Sequence, residues 1–292
     1  MAELIDGRKT SNDILEEIAT EVTKIKRQGK KAPHLAAVLV GDDGASLTYV
    51  NAKVKACEKV GFGSTLIHLP KNTTEAALLQ KVADLNSDDV IDGFIVQVPL
   101  PNHIDEQKVV NAISPAKDVD GFHPENVGKM LLDLPTLLPA TPKGIMLLLE
   151  KYGIETEGKN CVVLGRSHTV GTPASVLMSR KAYPGNSTVT LAHSRTQNLA
   201  AVTRRADILI VAIGKAEFVT ADMVKAGAVV IDVGIHRVVA PERKSGFRLR
   251  GDVKFEEVAA KASYITPVPG GVGPMTIASL LHNTLLATEM KK

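Results

Sequence analysis

The amino-acid sequence predicts an α/β protein with two units, each a parallel-type sheet flanked by helices. Three observations support this fold class. Short apolar runs alternate with amphipathic segments along the whole chain, as in folds that place helices against parallel strands. Several runs are apolar throughout, which is typical of strands buried on both faces. The chain has 292 residues, enough for about two domains at roughly 150 residues each.

The first half alternates predicted helices and strands. Residues 11–26 carry apolar side chains at helical spacing, and Gly29 follows as a stop signal. His34–Val40 is an apolar run that indicates a buried strand. The other predicted elements are a helix at 46–60 closed by Gly61, a strand at 65–69, a helix at 75–85 and a strand at 93–98.

Prolines become dense between residues 99 and 142, where seven occur, and this stretch is the predicted interdomain connection. The alternation then resumes. Strands are predicted at 161–164, 188–191, 208–213, 228–233 and 263–265, and helices at 172–181, 196–205 and from about 275 onward. The two halves therefore read as two α/β units of the same general kind.

Composition excludes several classes of protein. The net charge is +3, from 35 basic and 32 acidic residues without long runs of one sign, which argues against binding to nucleic acid through charge. There is no Trp, and the 4 Tyr and 6 Phe give few surfaces for stacking bases. No apolar stretch of about 18 residues lacks charges, so we expect no membrane span.

The same arguments favour a cytoplasmic protein. The N-terminal segment carries Glu3 and Asp6 and lacks an apolar run, so it does not resemble a signal peptide. Cys57 and Cys161 lie far apart and outside any CxxC pattern. We interpret them as buried thiols in a reducing compartment.

A strand–loop–helix segment, CVVLGRSHTVGTP, contains the first candidate binding site. Gly165 and Gly171 permit a tight turn and a close approach of backbone to an anion, and the next helix is expected to offer free N–H groups. Only two glycines stand where a full GxGxxG motif has three, so a plain strand-to-helix turn explains the loop almost as well.

The following strand indicates which dinucleotide would bind. It ends in His193, Ser194 and Arg195, without the carboxylate that usually holds the ribose hydroxyls of NAD. Arg166 lies on the glycine loop and is expected to face the same place. Two guanidinium groups and a hydroxyl suit a 2′-phosphate, so NADP is favoured, although Arg195 alone could be a solvated surface residue.

Polar residues in the first half form a second candidate site. Tyr49 and Lys53 are four residues apart and share one face of a helix, where a Tyr can orient an amine for proton transfer. Gln97 ends an apolar strand, the position at which α/β sheets bind ligands. Each residue also has a purely structural interpretation. Lys53 could extend along the surface to solvent beside a half-buried Tyr49, and Gln97 could cap loop backbone.

Two further segments complete the set of candidates. Asp118 and Asp120 flank Val119 without a recognised metal-ligand spacing; Asp118 is expected to cap the loop, whereas Asp120 can point into a cleft. The segment 266–276, TPVPGGVGPMT, has three prolines and three glycines. It predicts a rigid loop with exposed backbone, followed by a helix N-terminus.

These segments together resemble the bifunctional methylenetetrahydrofolate dehydrogenase/methenyltetrahydrofolate cyclohydrolase family. The resemblance runs from IDGRK near the start to the end of the last glycine-rich loop. Its most specific motifs are TYVNAKVKA (48–56), GFIVQVPLP (93–101), KDVDGFHPENVG (117–128) and PVPGGVGPMT (267–276). Thr169 and Ala140 stand where the family usually has Ile and often has Cys, and neither position is catalytic.

The resemblance implies oxidation of 5,10-methylenetetrahydrofolate with NADP and hydrolysis of the methenyl product to 10-formyltetrahydrofolate. It makes Lys53 the proton-handling residue, supported by Tyr49 and Gln97, and assigns the pterin N–H groups to Asp120. The implied substrate-binding residues are Tyr49, Lys53, Gln97, Val98, Asp120, Pro269, Gly270 and Gly273. The implied cofactor-binding residues are Gly165, Arg166, Ser167, Thr169, Val170, Gly171, Ser194, Arg195 and Ile235. No metal is implied.

The implied architecture is a folate-binding catalytic domain at 1–140, completed by a C-terminal helix at 274–292, and a Rossmann-like NADP-binding domain at 141–273. Folate would lie in the cleft between them, and the family is typically homodimeric. Three alternatives remain at this point: an NAD-dependent enzyme with only the dehydrogenase step, a two-domain dehydrogenase of a small acid, and a dinucleotide sensor without catalysis. Partners other than folate, such as nucleic acid or membrane, are not expected.

Overall fold

A computed structural model describes residues 1–243 and 246–290. The helices are α1 (Gly7–Arg27), α2 (Gly44–Val60), α3 (Glu75–Ser87), α4 (Glu106–Ala112), α5 (Pro124–Leu131), α6 (Ala140–Lys151), α7 (Gly171–Ser179), α8 (Leu199–Thr203), α9 (Phe255–Ala259) and α10 (Val272–Met290). The strands are β1 (Glu3–Leu4), β2 (His34–Val40), β3 (Gly63–Leu69), β4 (Gly93–Val96), β5 (Asn160–Leu164), β6 (Thr188–Ala192), β7 (Ile208–Val211), β8 (Val229–Asp232), β9 (His236–Val239), β10 (Phe247–Arg250) and β11 (Tyr264–Ile265).

The chain divides into two compact units. The three-stranded unit comprises Asn12–Ala140 and Ile277–Lys292, and the six-stranded unit comprises Met1–Ser11 and Thr141–Thr276. The first residues join the six-stranded unit because β1 pairs in parallel with β11. Residues 1–11 are predicted from the sequence to belong to the other domain, because a two-residue strand has no detectable pattern of its own. The last two residues of the helix predicted at 274–292 lie outside the described part of the chain.

The three-stranded unit has a parallel sheet in the order β3-β2-β4. Leu35–Val40 of the central strand is buried throughout, which confirms the prediction of a strand covered on both faces. Phe94 on β4 packs with apolar side chains of α3, such as Leu78 and Val82, in the core of this unit. The carboxyl ends of β2 and β4 therefore lie side by side on a rigid base.

The proline-dense stretch is not a simple connection. Residues 99–140 belong to the three-stranded unit and include α4 and α5. Both helices have start signals that the sequence analysis did not use: Asp105 caps α4 through the amides of residues 107 and 108, and Pro124 occupies the first turn of α5. Proline density marked helix starts here as well as turns.

Asn283 of α10 anchors the loop that carries Asp120. Its side chain is fully buried and donates to the carbonyl oxygens of Val119 and Leu138, both at 2.8 Å. We expect Asn283→Leu to lower the free energy of unfolding by about 2–4 kcal/mol, because two buried carbonyl groups lose their donors. Chemical denaturation measures this, with the exposed Asn111→Leu on α4 as the control; a loss no larger than the control's would contradict the anchoring role.

The six-stranded unit has a sheet in the order β1-β11-β8-β7-β5-β6 in which all adjacent strands are parallel. The chain passes from β5 to β6 on one side and then returns to β7 on the other. The strand order therefore reverses between β5 and β7. In open α/β sheets the ligand crevice lies outside the carboxyl ends of the strands at such a reversal.

An antiparallel hairpin of β9 and β10 follows β8, and the sequence analysis did not predict it. The strand predicted at 208–213 ends earlier, at Val211, and the predicted helix 196–205 is reduced to α8. No helix in the described residues combines the length and apolarity needed to cross a bilayer.

Candidate active site

Lys53 lies on the buried face of α2 at the carboxyl end of β4. The helix begins at Asp43, whose carboxylate accepts from the Ser46 amide at 2.8 Å, and ends at Gly61 in the left-handed conformation. The Lys53 side chain is 7 % exposed. Its Nζ donates to Gln97 Oε1 at 3.0 Å, so the predicted Lys53 and Gln97 pair is brought together.

Gln97 has its orientation fixed by its own backbone surroundings. Its Nε2 donates to the Val98 carbonyl oxygen at 2.6 Å, and its backbone amide donates to the Val38 carbonyl oxygen at 2.8 Å. Because the amide nitrogen is occupied by Val98, the carbonyl oxygen is the group that faces Lys53. One N–H of the Lys53 amine is thereby held in a fixed direction.

Asp120 provides the charge next to Lys53. Burial lowers the pKa of the Lys53 amine, and the Asp120 carboxylate opposes that change. Burial also raises the pKa of Asp120, which the positive charge of Lys53 opposes and the negative charge of Asp118 reinforces. The low-dielectric site therefore favours the neutral amine more than water does, as a base requires.

The two aspartates of the KDVDGFHP segment have different surroundings. Asp118 is 2 % exposed, and its carboxylate accepts from the amides of Gly121 and His123 and from the Asn126 side chain. It caps the loop. Asp120 is coupled electrostatically to Lys53, and its contact with a ligand stays a prediction.

Tyr49 lies one turn before Lys53 on the same helix. Its side chain is 38 % exposed, so the ring is open to solvent while the Lys53 side chain below it is buried. Val98 follows Gln97 and supplies the carbonyl oxygen that orients it. The helix α2 and the β4 loop thus present an exposed phenol, a buried amine and a fixed amide.

The glycine loop lies at the reversal of strand order in the six-stranded unit. Gly165 has φ +128°, and a Cβ there would lie 2.0 Å from the Ala212 carbonyl oxygen. A Cβ on Gly171 would lie 2.0 Å from the Gly165 carbonyl oxygen. Glycine is required at both positions because the loop after β5 packs directly against the loop after β7 and against the start of α7.

The start of α7 corrects one expectation. Ser167 Oγ accepts from the amides of Val170 and Gly171 at 3.1 and 3.3 Å, and the Thr172 amide donates to the Ser167 carbonyl oxygen. These amides were expected to be free for an anion, and they are instead capped within the loop. Thr169 is exposed, and Val170 is half-buried.

Arg166 and Ser194 occupy matching positions after neighbouring strands. Leu164 of β5 pairs with Ala192 of β6, and each of the two polar residues follows two positions later. Arg166, Ser194 and Arg195 are all exposed. Since adjacent parallel strands end at the same edge of the sheet, these side chains lie at one end of the crevice.

The loop between β11 and α10 and the first turn of that helix contain the predicted folate contacts Pro269, Gly270 and Gly273. Pro269 and Gly273 are exposed, and Gly270 has φ +109°. A Cβ on Gly7 would lie 1.9 Å from the carbonyl oxygen of Gly271, so this loop packs against the start of α1 within the six-stranded unit. Ile235, predicted to contact cofactor, is 47 % exposed after β8.

Family models match nearly all of the chain. The catalytic domain of tetrahydrofolate dehydrogenase/cyclohydrolase matches residues 5–120, and the NAD(P)-binding domain of tetrahydrofolate dehydrogenase/cyclohydrolase matches residues 139–292. The chain belongs to this family. The predicted family is confirmed, and with it an α/β fold with a Rossmann-like NAD(P)-binding domain and the dehydrogenase and cyclohydrolase activities.

Individual relatives agree. The bifunctional protein FolD of Cytophaga hutchinsonii is 69% identical over 289 residues, covering 99% of this chain and 100% of the relative. A crystal structure of bifunctional FolD from Campylobacter jejuni is 45% identical, with a TM-score of 0.93 and full coverage of both chains. The FolD of Trypanosoma brucei, solved with NADP cofactor and an inhibitor, is 38% identical with a TM-score of 0.94, covering 99% and 98%.

The structure shows two buried aspartates at the candidate cofactor site that the sequence does not single out. Asp232 and Asp252 are buried at the carboxyl ends of the strands in the six-stranded unit, and the sequence analysis named neither. A signal was present: Asp232 ends an apolar strand two residues before Gly234, as Gln97 follows another apolar strand. Within the described residues, no group of three or more His, Cys, Asp or Glu is arranged to hold a metal ion, and both cysteines are buried and free.

Proposed function

We propose that this chain oxidises 5,10-methylenetetrahydrofolate with NADP and hydrolyses the methenyl product to 10-formyltetrahydrofolate, with Lys53 as the base of the hydrolytic step. The observation that carries the assignment of Lys53 is its buried amine, 3.0 Å from a fixed Gln97 carbonyl and electrostatically coupled to Asp120. A surface lysine would have none of these features.

The hydrolytic step needs a proton acceptor beside the substrate. The oxygen of water bonds to the cationic methenyl carbon, the bond from that carbon to N5 of the folate breaks, N5 gains a proton and a second proton leaves. A neutral Lys53 amine can accept the departing proton from water, since burial disfavours its ammonium form. The positive charge of the methenyl substrate disfavours that ammonium form further.

Gln97 supports this role by orienting the amine. One amine N–H donates to Gln97 Oε1, which leaves the lone pair to point away from that bond toward the substrate side. Tyr49 is exposed on the preceding turn of α2, and we propose that it contacts the folate ring and the attacking water. In this proposal Val98 also contacts folate, and Pro269, Gly270 and Gly273 supply backbone contacts to it.

The residues of the six-stranded unit fit NADP. Gly165 and Gly171 allow the loops after β5 and β7 and the start of α7 to pack closely at the reversal of strand order. Two exposed guanidinium groups with the Ser194 hydroxyl suit a 2′-phosphate. Bound NADP supplies the acceptor for the hydride removed from the one-carbon bridge. In this proposal Gly165, Ser167, Thr169, Val170, Gly171 and Ile235 line the cofactor, and Arg166, Ser194 and Arg195 hold the 2′-phosphate.

Asp120 is proposed to accept hydrogen bonds from the amino and ring N–H groups of the pterin. We expect Asp120→Asn to raise the KM for methylenetetrahydrofolate about tenfold, because an amide presents one acceptor oxygen instead of two. Removing the carboxylate also removes a group that raises the pKa of Lys53. The pH midpoint of methenyl hydrolysis is therefore expected to shift downward.

Steady-state kinetics of both steps and the pH profile test this. Asp84→Asn, which changes an exposed aspartate on α3 of the same unit, is the control. An unchanged KM for methylenetetrahydrofolate together with an unchanged pH midpoint would show that Asp120 does not contribute to the site. The dissociation constant of NADP is expected to stay the same in both variants.

We also propose a homodimer in the cytoplasm, as the family resemblance implies. The free, buried cysteines suit a reducing compartment. Light scattering of the purified protein measures the assembly directly, and a mass equal to one chain at micromolar concentration would contradict the dimer.

The assay that tests the function follows three species separately. Purified protein is mixed with methylenetetrahydrofolate and either NADP or NAD, and reduced nicotinamide, methenyl compound and formyl compound are quantified. The proposal expects formyl product with NADP. Accumulation of the methenyl compound would contradict the hydrolytic role of Lys53. Faster turnover with NAD would contradict the 2′-phosphate site, and no turnover with either cofactor would contradict both activities.

A further inference from the structure

Asp252 has a fully buried carboxylate that receives four hydrogen bonds. Its Oδ2 accepts from the amides of Ile213 and Gly214 at 2.8 and 3.0 Å. Its Oδ1 accepts from the Lys215 amide at 2.8 Å and lies 2.7 Å from His236 Nε2. Because a carboxylate only accepts, the imidazole donates through Nε2. One side chain therefore holds two separate loops.

Asp232 holds the backbone that carries Asp252. Its carboxylate accepts from the amides of Asp252 and Val253 at 2.9 Å and from Gly234 at 3.0 Å. Burial, reinforced by the negative charge of Asp252, raises the pKa of Asp232 to about 7. Burial and the neighbouring like charge both disfavour the ionised forms of these two carboxylates. We therefore expect them to have a role that a neutral residue could not perform as well.

Of the two segments that Asp252 holds, the loop after β7 lies where the strand order reverses, and the segment up to His236 leaves the neighbouring strand β8. Residues 212–215 follow β7, and the Ala212 carbonyl oxygen is the atom that a Cβ on Gly165 would meet. His236 follows Ile235 after β8. Both loops leave the carboxyl edge of the sheet, the edge at which a dinucleotide binds in this type of fold.

We propose that Asp252 is a positioning residue for NADP, which fixes the loops after β7 and β8 as the two sides of the cofactor crevice. The inference rests on the proposed cofactor site. Asp252 itself does not touch the cofactor; it acts through the Ile213–Lys215 backbone and through His236. A shift of this backbone would also displace Gly165, because the two loops are in van der Waals contact.

The test is Asp252→Asn, which keeps the shape of the side chain and replaces one acceptor oxygen with a donor. Two donors would then face an NH₂ group. We expect the dissociation constant of NADP, measured by NADPH fluorescence titration, to rise about tenfold or more. Cyclohydrolase activity, which consumes only water and methenyltetrahydrofolate, is expected to stay within about twofold of the wild type because Lys53, Gln97 and Asp120 lie in the three-stranded unit.

Asp207→Asn is the matched control. Asp207 accepts from the Asn160 amide and pairs with Lys225 in the same unit, but it precedes β7 and so lies at the opposite edge of the sheet. Its substitution is expected to leave NADP affinity unchanged. Wild-type NADP affinity in Asp252→Asn, or an equal loss in Asp207→Asn, would overturn the proposal.

A second pair of variants decides the matter if Asp252→Asn does not fold. His236 is partly exposed, so its substitution removes less packing than that of a fully buried residue. His236→Leu removes the donor to Asp252, and His236→Gln restores an N–H near the position of Nε2. We expect weaker NADP binding in the first and recovery in the second, whereas equal affinities would overturn the proposal. Failure of the proposed function is distinguishable, since the wild type itself would then neither bind nor reduce NADP.

Discussion

Replacing Lys53 with methionine is expected to lower the rate of methenyl hydrolysis by about 10²–10⁴-fold, the contribution typical of a positioned general base. Methionine fills a similar volume and is favourable in a buried site, so the fold should persist. The Gln97 carbonyl oxygen would lose the N–H that it accepts at 3.0 Å, and the Asp120 carboxylate would lose the positive charge that lowers its pKa.

The matched control is Lys55→Met, on the same helix. Lys55 is exposed and lies two residues beyond Lys53, so its side chain leaves α2 on another face. Its substitution should leave both activities unchanged. Undiminished hydrolysis in the Lys53 variant would exclude Lys53 as the base, because no other amine on this face of α2 could replace it.

The pH profile gives an independent measurement of the same role. A base accepts a proton only when it is deprotonated, so hydrolysis by the wild type should fall as pH decreases through the pKa of Lys53. Burial places that pKa below the ordinary value of 10.5, and the fall should therefore occur at lower pH than for an exposed lysine. The residual activity of Lys53→Met should lack this titration.

Arg166→Ala is expected to weaken NADP binding by about tenfold to a hundredfold while changing NAD binding little. A guanidinium bound to a phosphate contributes a charge-assisted, paired interaction that NAD cannot form. Arg166 follows the last residue of β5 by two positions, and Ser194 follows the paired residue of β6 by two positions. Both groups therefore lie at one end of the crevice. The variant should therefore approach equal use of the two cofactors.

The control for this prediction is Arg205→Ala. Arg205 is exposed in the same unit but lies after α8, before β7, at the edge of the sheet opposite the glycine loop. Dissociation constants for NADP and NAD, measured on both variants, separate loss of 2′-phosphate recognition from a general loss of positive charge. Equal losses for both cofactors in Arg166→Ala would place Arg166 away from the 2′-phosphate.

The sequence alone determined the fold class and most of the elements that hold the site. The buried strand His34–Val40 was predicted with the bounds that the structure has, because an apolar run between turn residues is a local pattern. The family was likewise recognisable from contiguous motifs. Lys53, Gln97 and Asp120 could each be named because each lies within such a motif.

The tertiary structure decided which of these groups meet. The contact between Lys53 and Gln97 joins residues 44 positions apart, and the capping of the α7 amides by Ser167 depends on how the glycine loop closes. The pairing of β1 with β11 joins the two ends of the six-stranded unit. None of these is visible in local periodicity, because a hydrogen bond depends on the path of the chain between its partners.

Asp252 shows the difference most clearly. In the sequence it is one acidic residue after a short basic segment, with no periodicity or motif to distinguish it. In the structure its carboxylate is the common acceptor for a loop 37–39 residues earlier and for a histidine 16 residues earlier. Local patterns determine which elements form, whereas long-range hydrogen bonds to buried charges determine how their ends are arranged around a ligand.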